Sequence, residues 1–146
     1  YKNQNYSVKL LLPSGIVFAV LAFLLNTHVF PYMFSFQAPP AAARYFNEHS
    51  SKDDTLYNFN YPQYELFFYS EPQAIQLSNP ESVLAAAGKK GNWLFTDEEG
   101  YEIIQYFNTK ADTIIPYKHL YLNRGSKFIN PKTRDKVLRP MYLIKY

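Results

Sequence analysis

Hydrophobic positions are distributed unevenly along this chain, with one long apolar run near the start and shorter, alternating segments after it. Residues 10–25 read LLLPSGIVFAVLAFLL without a charged side chain, and the uncharged stretch continues to Phe36. A helix needs about 20 apolar residues to cross a hydrocarbon layer about 30 Å thick. The run therefore predicts a membrane-spanning helix, with Pro13 in its first turn and the polar residues 26–28 near its far edge.

Basic residues flank only one end of this run. Lys2 and Lys9 precede it, and no Lys or Arg follows until Arg44. Because basic residues favour the cytoplasmic side, this asymmetry predicts an inner (plasma) membrane protein with a cytoplasmic N-terminus, whose chain lies outside after about residue 36. Two alternatives stay open: a buried helix of a soluble domain, and a cleaved signal peptide for which residues 41–43 supply small side chains.

The rest of the chain alternates between strand-like and helix-like segments. We interpret residues 1–36 as the transmembrane helix with its flanks, residues 37–54 as a linker containing a short amphipathic helix (41–48), and residues 55–146 as an extracytoplasmic domain. The predicted strands of that domain are 55–60, 74–77, 92–95, 112–122 and 137–144. Its predicted helices are 63–70, 80–87 and 97–107.

This alternation with short connections predicts an α/β fold, a small three-layer-like domain with a mostly parallel sheet. The longer spacing before the last strand allows an antiparallel edge strand there. Pro116 cannot donate a ladder hydrogen bond, so its strand should contain a bulge or lie at an edge.

Two helix starts have recognisable capping sequences. Asn79 followed by Pro80 predicts a helix start, and Gly88 predicts the end of the same helix. Thr96 followed three residues later by Glu99 matches a capping box.

Composition and charge remove several classes of function. The chain has no cysteine, which excludes thiolate zinc sites, cysteine nucleophiles and disulfide scaffolds. The net charge is only +3 and no basic run exceeds the pair Lys89 and Lys90, which argues against nucleic-acid binding. His28, His49 and His119 have no second ligand at metal spacing, so we predict no metal site and see no sign of a cofactor.

Carboxylates and aromatic rings are the remaining candidates for chemistry. Asp97, Glu98 and Glu99 form the one local carboxylate cluster, and we interpret them as helix-capping residues because the helix macrodipole favours negative charge there. The 14 Tyr and 12 Phe residues suit core packing and anchoring at a membrane interface. A stacking platform for sugars or lipid chains is the alternative interpretation.

Several segments are similar to a known family. They are QAPPAAARYFN (37–47), TLYNFNY with ELFFYS (within 55–70), GNWLFTDEEGYE (91–102) and KFINPKTR with MYLIKY (within 127–146). In their order after a hydrophobic helix, they resemble the C-terminal end of bacterial membrane glycosyltransferases of the protein mannosyltransferase and aminoarabinose transferase type.

The resemblance implies a multi-helix membrane enzyme that transfers a hexosyl or pentosyl unit from a polyprenyl-phosphate donor to a lipid or protein acceptor. Such enzymes carry a small extracytoplasmic α/β domain after the last transmembrane helix. Their acidic catalytic residues lie in a first outer loop that no segment here matches, so no catalytic residue is assigned. Because the chain opens with Tyr1, we expect a piece of a longer protein that is inactive alone.

The resemblance further implies that this part caps the active site and shapes acceptor binding. Membrane lipid and the polyprenyl-phosphate sugar donor would be its partners. The segment at the membrane surface then supplies the candidates for contact with the lipid-linked phosphate: His28, Tyr32, Gln37 and Arg44. The alternative hypothesis is a single-pass extracytoplasmic module that binds a partner or an envelope glycan without catalysis.

Overall fold

The computed structural model describes residues 4–61 and 64–146 and divides into two compact units, with the boundary between Ser35 and Phe36. The side chains of residues 4–8 and 10 are not among the described ones. Lys2, which contributes to the predicted orientation, and residues 62–63, at the predicted start of one helix, lie outside the described residues.

The first unit is helical from Gln4 to Phe34. It consists of α1 (Gln4–Leu24), a π turn (Leu25–Val29) and α2 (Phe30–Phe34). The stretch Leu11–Phe34 is long and apolar enough to cross a membrane, and the apolar window that qualifies contains no buried residue. A core helix of a soluble domain would be mostly buried, whereas a signal sequence near an N-terminus meets the same criteria of length and composition.

The position of Pro13 differs from the prediction. Helical backbone begins at Gln4, six residues before the apolar run, so Pro13 lies inside α1 rather than in its first turn. Polar side chains are compatible with helical backbone, so the helix begins before the apolar run does.

The second unit contains a five-stranded mixed sheet with the strand order β2-β1-β3-β5-β4. The strands are β1 (Thr55–Phe59), β2 (Ile75–Leu77), β3 (Asn92–Asp97), β4 (Thr113–Leu120) and β5 (Leu138–Lys145). β1 runs parallel to both β2 and β3, while β5 is antiparallel to both β3 and β4. The predicted α/β fold is confirmed. The last strand is antiparallel but lies inside the sheet, and the strand with Pro116 forms the edge.

Helices cover both faces of this sheet. They are α3 (Ala38–His49), α4 (Glu65–Tyr69), α5 (Pro80–Ala87) and α6 (Glu98–Tyr106), followed by a 3₁₀ turn (Leu122–Arg124), α7 (Gly125–Ile129) and α8 (Arg134–Val137). α3 and α4 pack on one face, where the buried residues include Ala42, Phe46, Leu66, Trp93 and Phe95. α5 and α6 pack on the other face, where they include Phe59, Val83, Leu94, Ile104 and Ile144. The domain therefore has three layers.

Helix α3 belongs to this domain rather than to a linker before it. It begins at Ala38, three residues earlier than predicted, with Pro39 in its first turn. Ala42 and Phe46 are completely buried, and the Phe46 ring meets the Trp93 ring edge-on at 5.7 Å between centroids. The predicted amphipathic helix is therefore present, and its buried face contacts the sheet.

The start of α6 corrects one predicted cap. β3 continues through Thr96 to Asp97, and Asp97 is the N-cap, with its Oδ1 accepting from the Gly100 amide at 2.9 Å. Thr96 pairs with Phe59 on one side and Tyr142 on the other, so sheet pairing keeps it extended. At α5 the prediction is confirmed, because Asn79 Oδ1 accepts from the Ser82 amide at 2.8 Å.

Candidate functional site

The ends of several strands meet at one edge of the sheet. After β1 the chain passes through α4 on one face to reach β2, and it returns through α5 on the opposite face to β3. The two crossovers therefore diverge between the carboxyl ends of β1 and β3. In open α/β sheets, such a switch point forms the crevice in which ligands bind.

The chain enters the domain at this same edge. The Phe36 carbonyl accepts from the Leu120 amide at 2.8 Å, and Gln37 Nε2 donates to the Leu120 carbonyl at 2.9 Å. The Ala38 amide donates to His119 Nδ1 at 3.3 Å. Three successive residues are thus hydrogen-bonded to the carboxyl end of β4.

Beside this attachment lies a cavity of about 250 Å³, which we call the histidine cavity. It is lined by Gln37, Glu65, His119, Leu120, Tyr121, Leu122 and Asn123. Its volume lies just below the range of about 300–1,000 Å³ typical of small-molecule sites, so it suits a ligand of modest size.

His119 is completely buried in the wall of this cavity. Its Nδ1 accepts from Ala38, so the neutral ring carries its hydrogen on Nε2, which lies 3.4 Å from the Tyr61 hydroxyl oxygen. Burial lowers the pKa of His119 to about 4, and the ring is therefore neutral near pH 7. Burial also raises the pKa of Tyr61, and the negative charge of Glu65 raises it further.

Glu65 supplies the cavity with a hydrogen-bond acceptor. Its Oε2 is buried and accepts no hydrogen bond from the described residues. Gln37 is held in place through Nε2, which leaves its side-chain oxygen as a second acceptor. Such a pair of acceptors suits a ligand that donates hydrogen bonds, for example through hydroxyl groups.

A second cavity, of about 360 Å³, lies next to the first, and we call it the carboxylate cavity. It is lined by Asp97, Glu98, Glu99, Glu102, Tyr121, Arg139, Pro140 and Met141. Four carboxylates here face a single cation, Arg139. Tyr121 lines both cavities, and its pKa is raised by burial and by the charge of Asp97, against an opposing effect of Arg139.

Asn60 connects the ends of β1 and β3 beside the carboxylate cavity. It adopts a left-handed backbone conformation (φ 56°), which Asn tolerates better than most residues. Its Nδ2 lies 3.0 and 3.2 Å from the two Asp97 carboxylate oxygens and 3.4 Å from Glu99 Oε2. Because Asp97 also caps α6, the interpretation of this cluster as structural is supported. Across the described ranges, no three His, Asp or Glu side chains converge as ligands for a metal ion.

The four residues predicted to contact substrate are not gathered in one place. Gln37 lines the histidine cavity, whereas Arg44 is exposed on α3 and lines neither cavity. His28 and Tyr32 lie in the helical first unit, which we describe by itself. There Tyr32 is 44% exposed, and His28 Nδ1 contacts the Thr27 hydroxyl at 2.7 Å.

The polar side chains Asn26 and Thr27 of the first unit are hydrogen-bonded to their own helix. Asn26 Nδ2 donates to the Ala22 carbonyl and Thr27 Oγ1 to the Phe23 carbonyl, each at 2.8 Å. Such bonds reduce the cost of polar side chains in hydrocarbon. They lie at the π turn before Pro31, which has no amide hydrogen to donate in a regular helix.

Sequence reasoning missed the main residues of the histidine cavity. Tyr61, Glu65 and Tyr121 were not singled out, and His119 was considered only as a metal ligand. These residues and Gln37 come from three distant segments, so no local spacing identifies them. Asn60 had a weak local signal, since an Asn directly after a strand often adopts a left-handed turn.

Comparison with protein-family models, with curated proteins and with solved structures finds no match to this chain. The chemistry of the site therefore rests on its own residues. Two adjoining cavities present hydrogen-bond acceptors, one guanidinium and a shared aromatic ring, an arrangement suited to binding a small hydroxylated ligand.

Proposed function

We propose that this chain is the C-terminal part of an integral-membrane glycosyltransferase that uses a polyprenyl-phosphate-linked sugar as donor. In this proposal the domain caps the active site and shapes the acceptor site. The observation that carries it is the attachment of residues 36–38, directly after a helix of membrane-spanning length, to the wall of a polar cavity.

Chain length limits how far this cavity can lie from a bilayer. Gln37 follows Phe34, the last residue of α2, by three positions, and three residues span about 10 Å at most. If the helix crosses a membrane, the histidine cavity lies close to the bilayer surface. A lipid-linked donor carries its sugar at that depth.

The chemistry of the cavity suits a sugar acceptor. Glu65 and Gln37 offer acceptor oxygens to ligand hydroxyls, and Tyr121 offers an aromatic ring. Hydrogen bonds to a charged group are worth about 1.5–3 kcal/mol, so Glu65 would contribute most to affinity. The histidine ring, being buried and bonded to Ala38, holds the wall in place.

The proposal places the protein in the inner (plasma) membrane, with the N-terminus in the cytoplasm and the domain outside. The positive charge before the apolar run supports this orientation. Membrane lipid and the sugar donor would be the partners.

The test uses the protein with all the sequence that its gene encodes, in isolated membranes. Radiolabelled polyprenyl-phosphate sugars are supplied, and label in lipid and protein acceptors is measured for the wild type, Glu65→Gln and Glu48→Gln. Glu48 is an exposed carboxylate on α3 and serves as the matched control. We expect Glu65→Gln to raise KM for the acceptor by about tenfold with kcat little changed, since a lost hydrogen bond to a charge costs about 1.5 kcal/mol or more.

A transfer activity no higher than that of membranes lacking the protein would contradict the proposal. Equal KM values for Glu65→Gln and Glu48→Gln would show that the histidine cavity is not part of the acceptor site.

One observation favours the alternative, a single-pass extracytoplasmic binding module. Every described residue that lines the two cavities belongs to residues 36–146, so the described part of the domain itself supplies their walls. Ligand binding by this chain without any associated transfer activity would support the module.

A further inference from the structure

Charge is concentrated in one segment near the end of the chain, which we call the basic segment (residues 122–136). It holds five of the fifteen Lys and Arg residues and one of the twelve acidic residues, so its net charge is +4 while the rest of the chain carries −1. The five cations are Arg124, Lys127, Lys132, Arg134 and Lys136. The single acid, Asp135, lies 3.4 Å from Lys118 of β4 and is exposed.

Two large apolar side chains are exposed among these cations. The segment forms a 3₁₀ turn, α7 and α8 in succession. Leu122 is 62% exposed and Ile129 is 57% exposed. Exposed apolar residues flanked by basic ones are typical of surfaces that lie in the interfacial region of a bilayer.

The basic segment packs directly against the point where the chain enters the domain. The rings of Phe36 and Phe128 meet edge-on with centroids 5.1 Å apart. The Arg134 guanidinium lies over the Phe128 ring, with its carbon 5.3 Å from the ring centroid, and Arg134 Nε donates to the Phe128 carbonyl at 3.1 Å. Since Phe36 follows α2 by two residues, the segment is tied to the chain where it leaves the hydrophobic helix.

We propose that the basic segment docks the domain on an anionic bilayer surface, with Leu122 and Ile129 entering the interfacial region and its four exposed cations, all but Arg134, facing lipid phosphates. Opposite charge attracts the segment to acidic lipid, and burial of the two apolar side chains holds it there. Covalent continuity with an apolar helix keeps the surface within reach, which favours a bilayer over a soluble acidic partner. The inference goes beyond the proposed function, because docking orients the domain whether it belongs to an enzyme or to a binding module.

The absence of cysteine allows a clean test on the full chain. Leu122→Cys, Ile129→Cys and Tyr106→Cys are each labelled with a nitroxide, and the protein is reconstituted in phosphatidylcholine vesicles with and without one quarter phosphatidylglycerol. Tyr106, 86% exposed at the end of α6, is the matched control. Collision of the label with oxygen and with a polar nickel complex is measured by electron paramagnetic resonance.

We expect nickel accessibility at positions 122 and 129 to be about tenfold below that at position 106 in anionic vesicles, with oxygen accessibility retained, because a polar complex is excluded from the apolar layer. In neutral vesicles the difference should largely disappear. Reversing three cations, Arg124→Glu, Lys127→Glu and Lys132→Glu together, should abolish it, whereas the control triple Lys89→Glu, Lys90→Glu and Lys110→Glu should not.

Three results would overturn the proposal. The first is equal nickel accessibility at all three positions in anionic vesicles. The second is a low nickel accessibility at positions 122 and 129 that stays the same in neutral vesicles and after charge reversal. The third is protection of positions 122 and 129 from oxygen and nickel together, which would indicate a protein contact instead of a lipid surface.

Discussion

The histidine cavity and the carboxylate cavity adjoin each other and share Tyr121, but their polar side chains come from differently distributed parts of the chain. In the first, His119 is fully buried and hydrogen-bonded to the backbone of a distant segment. In the second, the four carboxylates all come from residues 97–102, and Tyr121 and residues 139–141 of β5 complete the wall. The polar groups of the first cavity come from three distant segments, whereas the carboxylates of the second come from one short segment at the start of α6.

This difference predicts different sensitivities. Disturbing a buried, neutral histidine costs desolvation energy and loosens the attachment of residues 36–38. Disturbing an exposed carboxylate costs at most a helix cap or a screened charge interaction. The histidine cavity should therefore respond strongly to pH and to substitution, and the carboxylate cavity weakly.

The largest expected effect is the pH dependence of stability contributed by His119. Its pKa is about 4 in the folded protein and near 6.5 when unfolded. As the pH falls through this window, the unfolded chain takes up a proton that the folded chain does not, so the free energy of unfolding decreases, by about 3 kcal/mol at pH 4. Urea unfolding of the full chain in micelles, followed by the fluorescence of Trp93, measures it.

The matched variants for this prediction are His119→Asn and His49→Asn. Asparagine keeps an acceptor for the Ala38 amide but does not titrate, so His119→Asn should flatten the pH profile between pH 6.5 and 4. His49 is exposed on α3 and stacks on Tyr45, and its variant should keep the wild-type profile. Identical profiles for all three proteins would show that His119 is not held neutral by burial.

A smaller effect distinguishes the observed cap of α6 from the one that the sequence indicates. Asp97→Ala removes the acceptor for the Gly100 amide and for Asn60, and should destabilise the domain by about 1 kcal/mol. Thr96→Val should be neutral or slightly stabilising, because the buried Thr96 hydroxyl has no hydrogen-bond partner among the described residues. Urea unfolding measures both, and a larger loss for Thr96→Val than for Asp97→Ala would restore Thr96 as the cap.

Local patterns predicted much of the fold. The alternation of apolar residues located all five strands within a few residues, and Asn79 with Pro80 located the start of α5. These signals are local, because a strand or a helix cap is determined by neighbours within a few positions. A single residue, Pro116, predicted either a bulge in β4 or an edge position, and β4 lies at the edge.

The remaining features required tertiary information. Thr96 matches a capping box, but pairing with strands on both sides keeps it extended. The linker interpretation of residues 37–54 underestimated α3, whose Phe46 finds its partner Trp93 only in the folded domain. Gln37 stays a predicted contact for a lipid phosphate, but its hydrogen bond from Nε2 to the Leu120 carbonyl, 83 positions away, is a tertiary feature. No sequence spacing identifies such a pair.

The basic segment illustrates the same limit. In the sequence the Lys and Arg residues are scattered, with no run longer than the pair Lys89 and Lys90, and no local pattern shows which way they face. Their concentration after residue 122 becomes informative only because Phe128 packs against Phe36, which places them where the chain leaves its hydrophobic helix.

The most direct test of a membrane-anchored, outward-facing domain is fractionation of cells that express the full chain, combined with protease treatment of intact spheroplasts. We predict that the chain stays in the membrane pellet after alkaline carbonate extraction and that external protease digests it beyond about residue 50. Recovery of the intact chain in the soluble fraction without detergent would contradict the anchor, and with it the proposed glycosyltransferase.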